Sequence, residues 1–168
     1  LPQKTILDTG FDVLVIGEGE ETFIDLLNHY DAVNKRLYNE MDIKGIIFKQ
    51  ANNTLFVTPL RNLIKIDTLP MPARDLIPNT YSRTIGGERA TNIITSRGCM
   101  GKCIFCMQEP MWHNKIRFLT PERVLEEIDW IKEHWGINRF LFLDDTMSMK
   151  KSRFLKICEG LKERKVIW

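Results

Sequence analysis

The sequence of 168 residues contains one stretch that decides its fold and chemistry, Thr95-Ser96-Arg97-Gly98-Cys99-Met100-Gly101-Lys102-Cys103-Ile104-Phe105-Cys106, here called the cysteine loop. Three of the four cysteines lie in it, with the spacing Cys-x3-Cys-x2-Cys. Thiolates this close together can point at a single centre, and thiolate is a preferred ligand of iron–sulfur clusters and zinc. The two glycines let the backbone curl without a Cβ clash. The loop therefore predicts a metal site rather than a disulfide framework.

The number of cysteines distinguishes between the candidate metals. Structural zinc takes four closed ligands. The nearest candidate for a fourth ligand, His113, follows Cys106 by seven residues and has no second ligand beside it. Three ligands alone leave one position open, and an open position on a metal centre is where a substrate or cofactor binds. We therefore favour an iron–sulfur cluster over structural zinc.

The cysteine loop lies inside an alternation of strands and helices. Strands are predicted at residues 91–95, 140–143 and 166–168. Between the first two, Thr120 and Pro121 predict a helix start, and Gly136 predicts its end. The helix before the third strand has an apolar stripe formed by Phe154, Leu155, Cys158 and Leu161. Cys158 is therefore expected to be a buried structural residue, and the alternation implies parallel strands joined by helical crossovers.

The first half of the chain has a different pattern. Residues 11–16 predict a buried strand, followed by a turn at Gly17 and a helix, which together form half of a βαβ unit. The apolar face of that helix is predicted to contain Phe23, Leu26, Leu27 and Tyr30. The apolar runs 45–49 and 54–58 flank Asn52-Asn53 and predict a hairpin. Residues 59–81 contain four prolines and predict an extended linker.

The spacing Cys99-x3-Cys103-x2-Cys106, with Phe105 before the last cysteine, resembles the signature of the radical S-adenosylmethionine superfamily, and the resemblance covers about residues 90–168. It implies that the three cysteines bind three irons of a [4Fe-4S] cluster, whose fourth iron is chelated by the amino and carboxylate groups of S-adenosylmethionine. It also implies reductive cleavage to methionine and a 5′-deoxyadenosyl radical, a small-molecule substrate, and an electron donor such as flavodoxin or ferredoxin. Phe105 is implied to lie beside the adenine.

Polar residues Asp144-Asp145-Thr146 follow the predicted strand at 140–143. In a (β/α) barrel the functional groups lie at the carboxyl ends of the strands. The family uses polar residues after its second strand, often Gly-Gly-Glu, to hold the amino group of S-adenosylmethionine. This chain lacks that triplet, and the resemblance implies that Asp144 and Asp145 are the nearest equivalents. The same residues could equally end the strand or cap the next helix, so both roles stay open.

Near the start of the chain, Val15-Ile16-Gly17-Glu18-Gly19-Glu20-Glu21-Thr22 resembles the end of the cobalamin-binding domain that precedes many radical S-adenosylmethionine enzymes. The resemblance implies cobalamin in the full-length protein, although the motifs that hold it would lie before Leu1. A dinucleotide site is disfavoured because the third glycine is missing and the glutamates would repel a pyrophosphate. An acidic helix start after a tight turn also accounts for these residues.

The predicted fold class is α/β, in three parts. Residues 1–40 form the tail of a Rossmann-like cobalamin-binding domain, 41–89 a hairpin and proline-rich linker, and 90–168 the N-terminal part of a radical S-adenosylmethionine (β/α) partial TIM barrel. We expect a cobalamin-associated enzyme that performs radical methyl transfer, cyclisation or a related step. A methylthiotransferase and a non-catalytic zinc or iron–sulfur module are the alternatives. A piece starting at Leu1 and ending as a strand begins is expected to be inactive by itself.

Composition limits the partners. The formal net charge is +2 and charges of both signs are mixed along the chain, so no nucleic-acid partner is indicated. No apolar run approaches the roughly 20 residues that span a bilayer, and no secretory leader opens the sequence. Clustered cysteines suit a reducing compartment, so we expect a cytoplasmic protein. Residues 1–90 contain no cysteine, which weakens the methylthiotransferase alternative because such enzymes have further N-terminal cysteines.

Overall fold

A computed structural model of the chain describes residues 2–77, 83–106, 112 and 115–168. His113, considered above as a zinc ligand, and the last residues of the predicted linker lie outside these ranges. The chain divides into two compact units, Leu1–Ile64 and Lys65–Trp168. This division differs from the predicted ones after residues 40 and 89. The hairpin belongs to the first unit, and the proline-rich segment from Lys65 onward belongs to the second.

The first unit is built around a three-stranded antiparallel sheet. Its elements are α1 (Pro2–Thr9), β1 (Val13–Val15), α2 (Glu20–Asn28), β2 (Tyr30–Asp31), β3 (Arg36–Leu37), β4 (Ile46–Lys49) and β5 (Leu55–Val57). The sheet order is β1-β4-β5. The predicted hairpin is confirmed, since β4 pairs with β5 and Asn53 adopts a φ of 63° in the turn. α1 had no predicted counterpart, and it buries Ile6.

Two details of the first unit differ from the prediction. β1 pairs antiparallel with β4, and Val15 is exposed, so β1 is neither a fully buried strand nor half of a parallel βαβ unit in the part described. On α2, Leu26 packs against the small core, whereas Phe23 and Leu27 are exposed. Tyr30 lies in β2 instead of the helix. The reason is that residues of β4 form much of the small core against which Leu26 packs. The residue of α2 that is fully buried is Thr22, which lies outside the predicted apolar face.

The second unit contains the parallel arrangement that the sequence predicts. Its elements are β6 (Arg83–Ile85), β7 (Glu88–Ile93), β8 (Ser96–Arg97), β9 (Arg117–Phe118), α3 (Pro121–Trp135), β10 (Arg139–Phe142) and α4 (Lys151–Glu163). β10 pairs parallel with β7, and Ile167 forms a parallel bridge with Arg139. α3 and α4 lie in the two connections. This confirms the strand–helix alternation, and the barrel that it would begin stays a prediction.

The core of this unit lies between the sheet and its two helices. It contains Ile93, Val124, Ile128, Ile131, Ile137, Phe140, Ile157 and Leu161. The predicted ends of α3 are confirmed: the Thr120 hydroxyl accepts a hydrogen bond from the Arg123 amide, and Gly136 has a φ of 64°. The predicted stripe of α4 is confirmed at Leu161, but Cys158 is only half-buried and Leu155 is exposed. The helix is rotated because Gly160 faces α3. A Cβ there would lie 2.3 Å from a methyl carbon of Leu125.

The proline-rich segment is more than a linker, because residues 65–77 belong to the second unit. It forms two short 3-10 turns, Ile66–Thr68 and Arg74–Leu76. Arg74 donates to the Asn92 carbonyl of β7 over 3.0 Å and to Glu127 of α3 over 2.6 Å. The Glu127 side chain is only 5% exposed. This segment therefore uses a buried ion pair to attach itself to both the sheet and a helix.

We expect Arg74→Met to lower the free energy of unfolding by about 3–5 kcal/mol, because it leaves the Glu127 carboxylate buried without its partner. Urea denaturation of the intact protein measures this change. The matched control is Arg139→Met, which removes a more exposed pair with Glu88 and should cost about 1 kcal/mol or less. Equal losses in the two variants would contradict the importance of the buried pair.

Candidate metal centre

The cysteine loop leaves β7 and returns beside its own starting point. β8, at the start of the loop, pairs antiparallel with β9, with Ser96 opposite Phe118. The Leu119 amide then donates to the Thr95 carbonyl over 2.9 Å. The sequence analysis did not predict this ladder, because strands of two residues have no periodicity to detect. The two ends of the segment that contains the cysteines are therefore joined.

Glycine is required at residue 98. Gly98 adopts a φ of 92°, and a Cβ there would lie 2.1 Å from the Lys115 carbonyl oxygen. Gly101 lies close to two of the sulfurs, since a Cβ at this position would be 3.3 Å from Cys99 Sγ and 3.8 Å from Cys103 Sγ. Both glycines thus permit close approaches that a side chain would obstruct, as the sequence predicted.

The three thiols are free and accessible to different degrees. Cys99 is half-buried, whereas Cys103 and Cys106 are exposed. The Gly101 amide donates to Cys99 Sγ over 3.3 Å, and the Cys106 amide donates to the Cys103 carbonyl over 3.0 Å. Within the described ranges, no three Cys, His, Asp or Glu side chains are close enough together to hold a metal ion. The loop thus presents three sulfur donors without gathering them at one point.

Asp144 has well-defined partners at the end of β10. One of its carboxylate oxygens accepts from the Thr95 hydroxyl over 2.8 Å and from the Ser96 hydroxyl, and both accept from the Thr95 amide over 3.1 Å. Asp144 therefore connects the ends of two neighbouring strands at the start of the cysteine loop. It does not cap α4, because the N-cap residue of that helix is Lys150.

The residues after Asp144 approach the sulfurs. Thr146 Oγ1 lies 3.5 Å from Cys99 Sγ and also donates to the Asp145 carbonyl over 2.7 Å. Asp145 is exposed at the same edge. Phe105 is 87% exposed on the cysteine loop. The structure thus brings Cys99 and Thr146 together, leaves Asp145 and Phe105 exposed, and joins Asp144 to Thr95 and Ser96.

A model of the Radical SAM superfamily matches residues 93–167, which run from the end of β7 through the cysteine loop, both helices and β10. In this part the chain is therefore similar to the radical S-adenosylmethionine superfamily, as the cysteine spacing predicts. In the described part of the chain, no helix has the length and apolar character needed to cross a membrane.

Curated relatives extend the similarity to most of the chain. An uncharacterized methyltransferase of Pyrococcus horikoshii is 34% identical, over 90% of this chain and 32% of the relative. The anaerobic magnesium-protoporphyrin IX monomethyl ester cyclase of Cereibacter sphaeroides is 26% identical, over 94% and 26%. A putative methylthiotransferase of Methanocaldococcus jannaschii is 25% identical, over 96% and 34%. The chain thus spans about a third or less of the length of these relatives.

Solved structures share the fold. The cobalamin-dependent S-adenosylmethionine radical enzyme OxsB, with aqua-cobalamin and S-adenosylmethionine bound, aligns with a TM-score of 0.71 at 21% identity, over 98% of this chain and 23% of that one. The radical S-adenosylmethionine methyltransferase TsrM of Kitasatospora setae, with cobalamin and a [4Fe-4S] cluster bound, gives 0.65 at 16%, over 98% and 32%. The chain therefore has the mixed α/β fold of part of such cobalamin-dependent enzymes.

We expect Gly98→Ala to destabilise the protein by about 1–3 kcal/mol more than Gly87→Ala, because its new methyl group meets the Lys115 carbonyl. Gly87 is a matched control, since it also has a positive φ, of 83°, but nothing lies within 4 Å of its missing Cβ. Both variants share the cost of about 1–2 kcal/mol for a left-handed residue. Urea denaturation gives the difference, and equal costs would show that the close approach at Gly98 is unimportant.

Thiol reactivity provides a second prediction. Burial raises the pKa of the Cys158 thiol, so at neutral pH less of it is thiolate, the reactive form. In cluster-free protein, iodoacetamide should alkylate Cys158 more slowly than Cys103 and Cys106, and the Cys158 rate should rise as the pH approaches its raised pKa. Peptide mass spectrometry measures the rates, and denatured protein is the control in which they become similar. A Cys158 rate equal to the others in folded protein would refute the prediction.

Proposed function

We propose that this chain is the cluster-holding part of a radical S-adenosylmethionine enzyme, with Cys99, Cys103 and Cys106 as ligands of three irons of a [4Fe-4S] cluster. The observation that carries the proposal is the family match over residues 93–167, which includes all three cysteines. The chemistry of the donors fits, because iron–sulfur clusters are held by thiolates. When bound, the cluster supplies the electron that cleaves S-adenosylmethionine to methionine and a 5′-deoxyadenosyl radical.

The chain's own residues prepare the thiols for this role. The Gly101 amide donates to Cys99 Sγ, and the Thr146 hydroxyl is within reach of the same sulfur. Hydrogen bonds to a ligating sulfur tune a bound metal. Cys103 and Cys106 are exposed, so both are accessible to an incoming cluster. The half-buried Cys99 thus provides the most anchored ligand, and the other two lie on the open side.

S-adenosylmethionine is proposed to bind beside the open position of the cluster. Asp144 and Asp145 are the candidates to face its amino group, with Phe105 beside the adenine. Asp144 already accepts several hydrogen bonds from Thr95 and Ser96. We therefore assign the direct contact to Asp145, which is exposed at the same edge, and give Asp144 the task of fixing that edge. The large exposed ring of Phe105 offers an apolar face to a base.

For the intact protein we propose a cobalamin-associated enzyme that performs methyl transfer, cyclisation or a related step on a small molecule. The names of the methyltransferase and cyclase relatives and the fold shared with OxsB and TsrM support this class. A flavodoxin or ferredoxin is the proposed electron donor, in the cytoplasm. A methylthiotransferase is the second candidate, supported by one relative, but residues 1–90 contain no further cysteine.

Anaerobic reconstitution with iron and sulfide tests the proposal. The intact protein should take up about four irons, and S-adenosylmethionine should change the electron paramagnetic resonance spectrum of the reduced cluster. Cys99→Ser, Cys103→Ser and Cys106→Ser should each lose most of the iron and the spectral change, because each removes one thiolate ligand. Cys158→Ser is the matched control and should keep both.

Two results would overturn the proposal. Zinc in a colourless protein would replace the cluster with a structural ion. A cluster with a spectrum that is unaffected by S-adenosylmethionine would favour a non-catalytic iron–sulfur module.

A further inference from the structure

Arg153 is a cation buried in the second unit. It lies on α4 and is only 5% exposed. Its Nε donates to the Leu119 carbonyl and one terminal nitrogen donates to the Thr95 carbonyl, both over 2.7 Å. The other terminal nitrogen is buried and has no hydrogen-bond partner among the described residues. Burial lowers the pKa of the guanidinium, so the protein keeps a charged group at a position that disfavours charge.

The two carbonyls that Arg153 binds lie at either end of the segment that contains the cysteines. Thr95 begins the cysteine loop, and Leu119 ends the returning chain just before α3. A single planar guanidinium thus holds both ends, in addition to the backbone hydrogen bond between them. The guanidinium also lies over the ring of Phe118, with its central carbon 5.0 Å from the ring centre. Arg153 therefore fixes Thr95 and Leu119, which together form the base of the cysteine loop.

Asp144 holds the same point from a second direction. It accepts hydrogen bonds from the amide and the hydroxyl of Thr95, whereas Arg153 donates to the carbonyl of that residue. Asp144 also favours the charged form of Arg153 electrostatically, as does Asp67. Asp67 in turn accepts from Thr120, the residue after Leu119. The backbone N–H of Thr95 is thus bound by Asp144, and its backbone carbonyl by Arg153.

Packing alone does not explain this arrangement. The apolar contacts of α4 come from Ile157 and Leu161, and well-packed apolar residues usually stabilise a core at least as well as buried charges. Directional hydrogen bonds, unlike apolar contacts, fix the position of individual backbone atoms. Burying a guanidinium with one unsatisfied nitrogen is unfavourable. Its presence here therefore indicates that the exact position of the Thr95 and Leu119 backbone is important for the protein.

We propose that Arg153 and Asp144 are positioning residues, and that together they clamp the base of the cysteine loop so that Cys99 keeps its place beside Thr146. The inference rests on the proposed function, because it assigns the clamp to cluster binding. Neither residue needs to touch the cluster. Loss of the clamp lets the loop open, and the three sulfurs then hold iron less persistently.

The test compares Arg153→Met, Arg153→Lys and Arg164→Met in the intact protein. Arg164 is a matched control on the chain just after α4, because it binds both carboxylate oxygens of Asp129 at 2.7 Å, away from the cysteine loop. After anaerobic reconstitution, iron release to a chelator should be about tenfold faster in Arg153→Met, the size typical of lost outer-shell contacts. Arg153→Lys, which keeps the charge and can reach one carbonyl, should restore part of the wild-type rate.

A second measurement needs no cluster. In cluster-free protein, hydrogen exchange at the amides of Thr95 and Leu119 should be faster in Arg153→Met than in the wild type and in Arg164→Met. The clamp would be overturned if these amides exchanged at the wild-type rate in Arg153→Met. It would also be overturned if Arg164→Met released iron as fast as Arg153→Met. A wild-type protein that takes up no cluster would instead overturn the proposed function and the link between the clamp and iron. The hydrogen-exchange comparison does not need a cluster, so it would still show whether Arg153 holds the base of the loop.

Discussion

The parallel register of β7 and β10 is the constraint on which the candidate site depends. Phe142 lies opposite Ile93, so the two strands end at the same level. Because parallel strands deliver their following segments to one edge of the sheet, the cysteine loop and the polar residues after β10 begin side by side. The contact between Cys99 and Thr146 is a direct consequence. A shift of one residue would turn the polar side chains after β10 toward the opposite face.

The site combines a fixed base with an open upper part. The base is joined by the β8–β9 ladder and the bonds of Thr95, whereas Ile104, Phe105 and two of the thiols are exposed. Such a division suits the proposed binding of a cluster, because few buried contacts must break before the sulfurs can adjust. The two glycines serve the same division, since Gly98 fixes the turn beside Lys115 and Gly101 leaves space between two sulfurs.

The sequence predicted those features that depend on neighbouring residues. The cap at Thr120, the glycine end of α3 and the asparagine turn of the hairpin are local, and each is confirmed. Features that depend on distant partners were not predictable. Arg74 and Arg153 look like ordinary solvated residues, and their partners lie far away along the chain. The face of α4 was predicted only in part, at Leu161, because Gly160, which carries no hydrophobic side chain, determines how closely the helix approaches α3.

The roles of the two aspartates after β10 follow from their different surroundings. A carboxylate that accepts from an amide and two hydroxyls has few free lone pairs, so most of the hydrogen-bonding capacity of Asp144 is used at the start of the cysteine loop. Asp145, the next residue, is exposed. Asp144 therefore fixes the start of the cysteine loop, and its exposed neighbour lies at the same edge. This difference supports the proposed assignment of the contact with S-adenosylmethionine to Asp145, because adjacent residues at a strand end point in different directions.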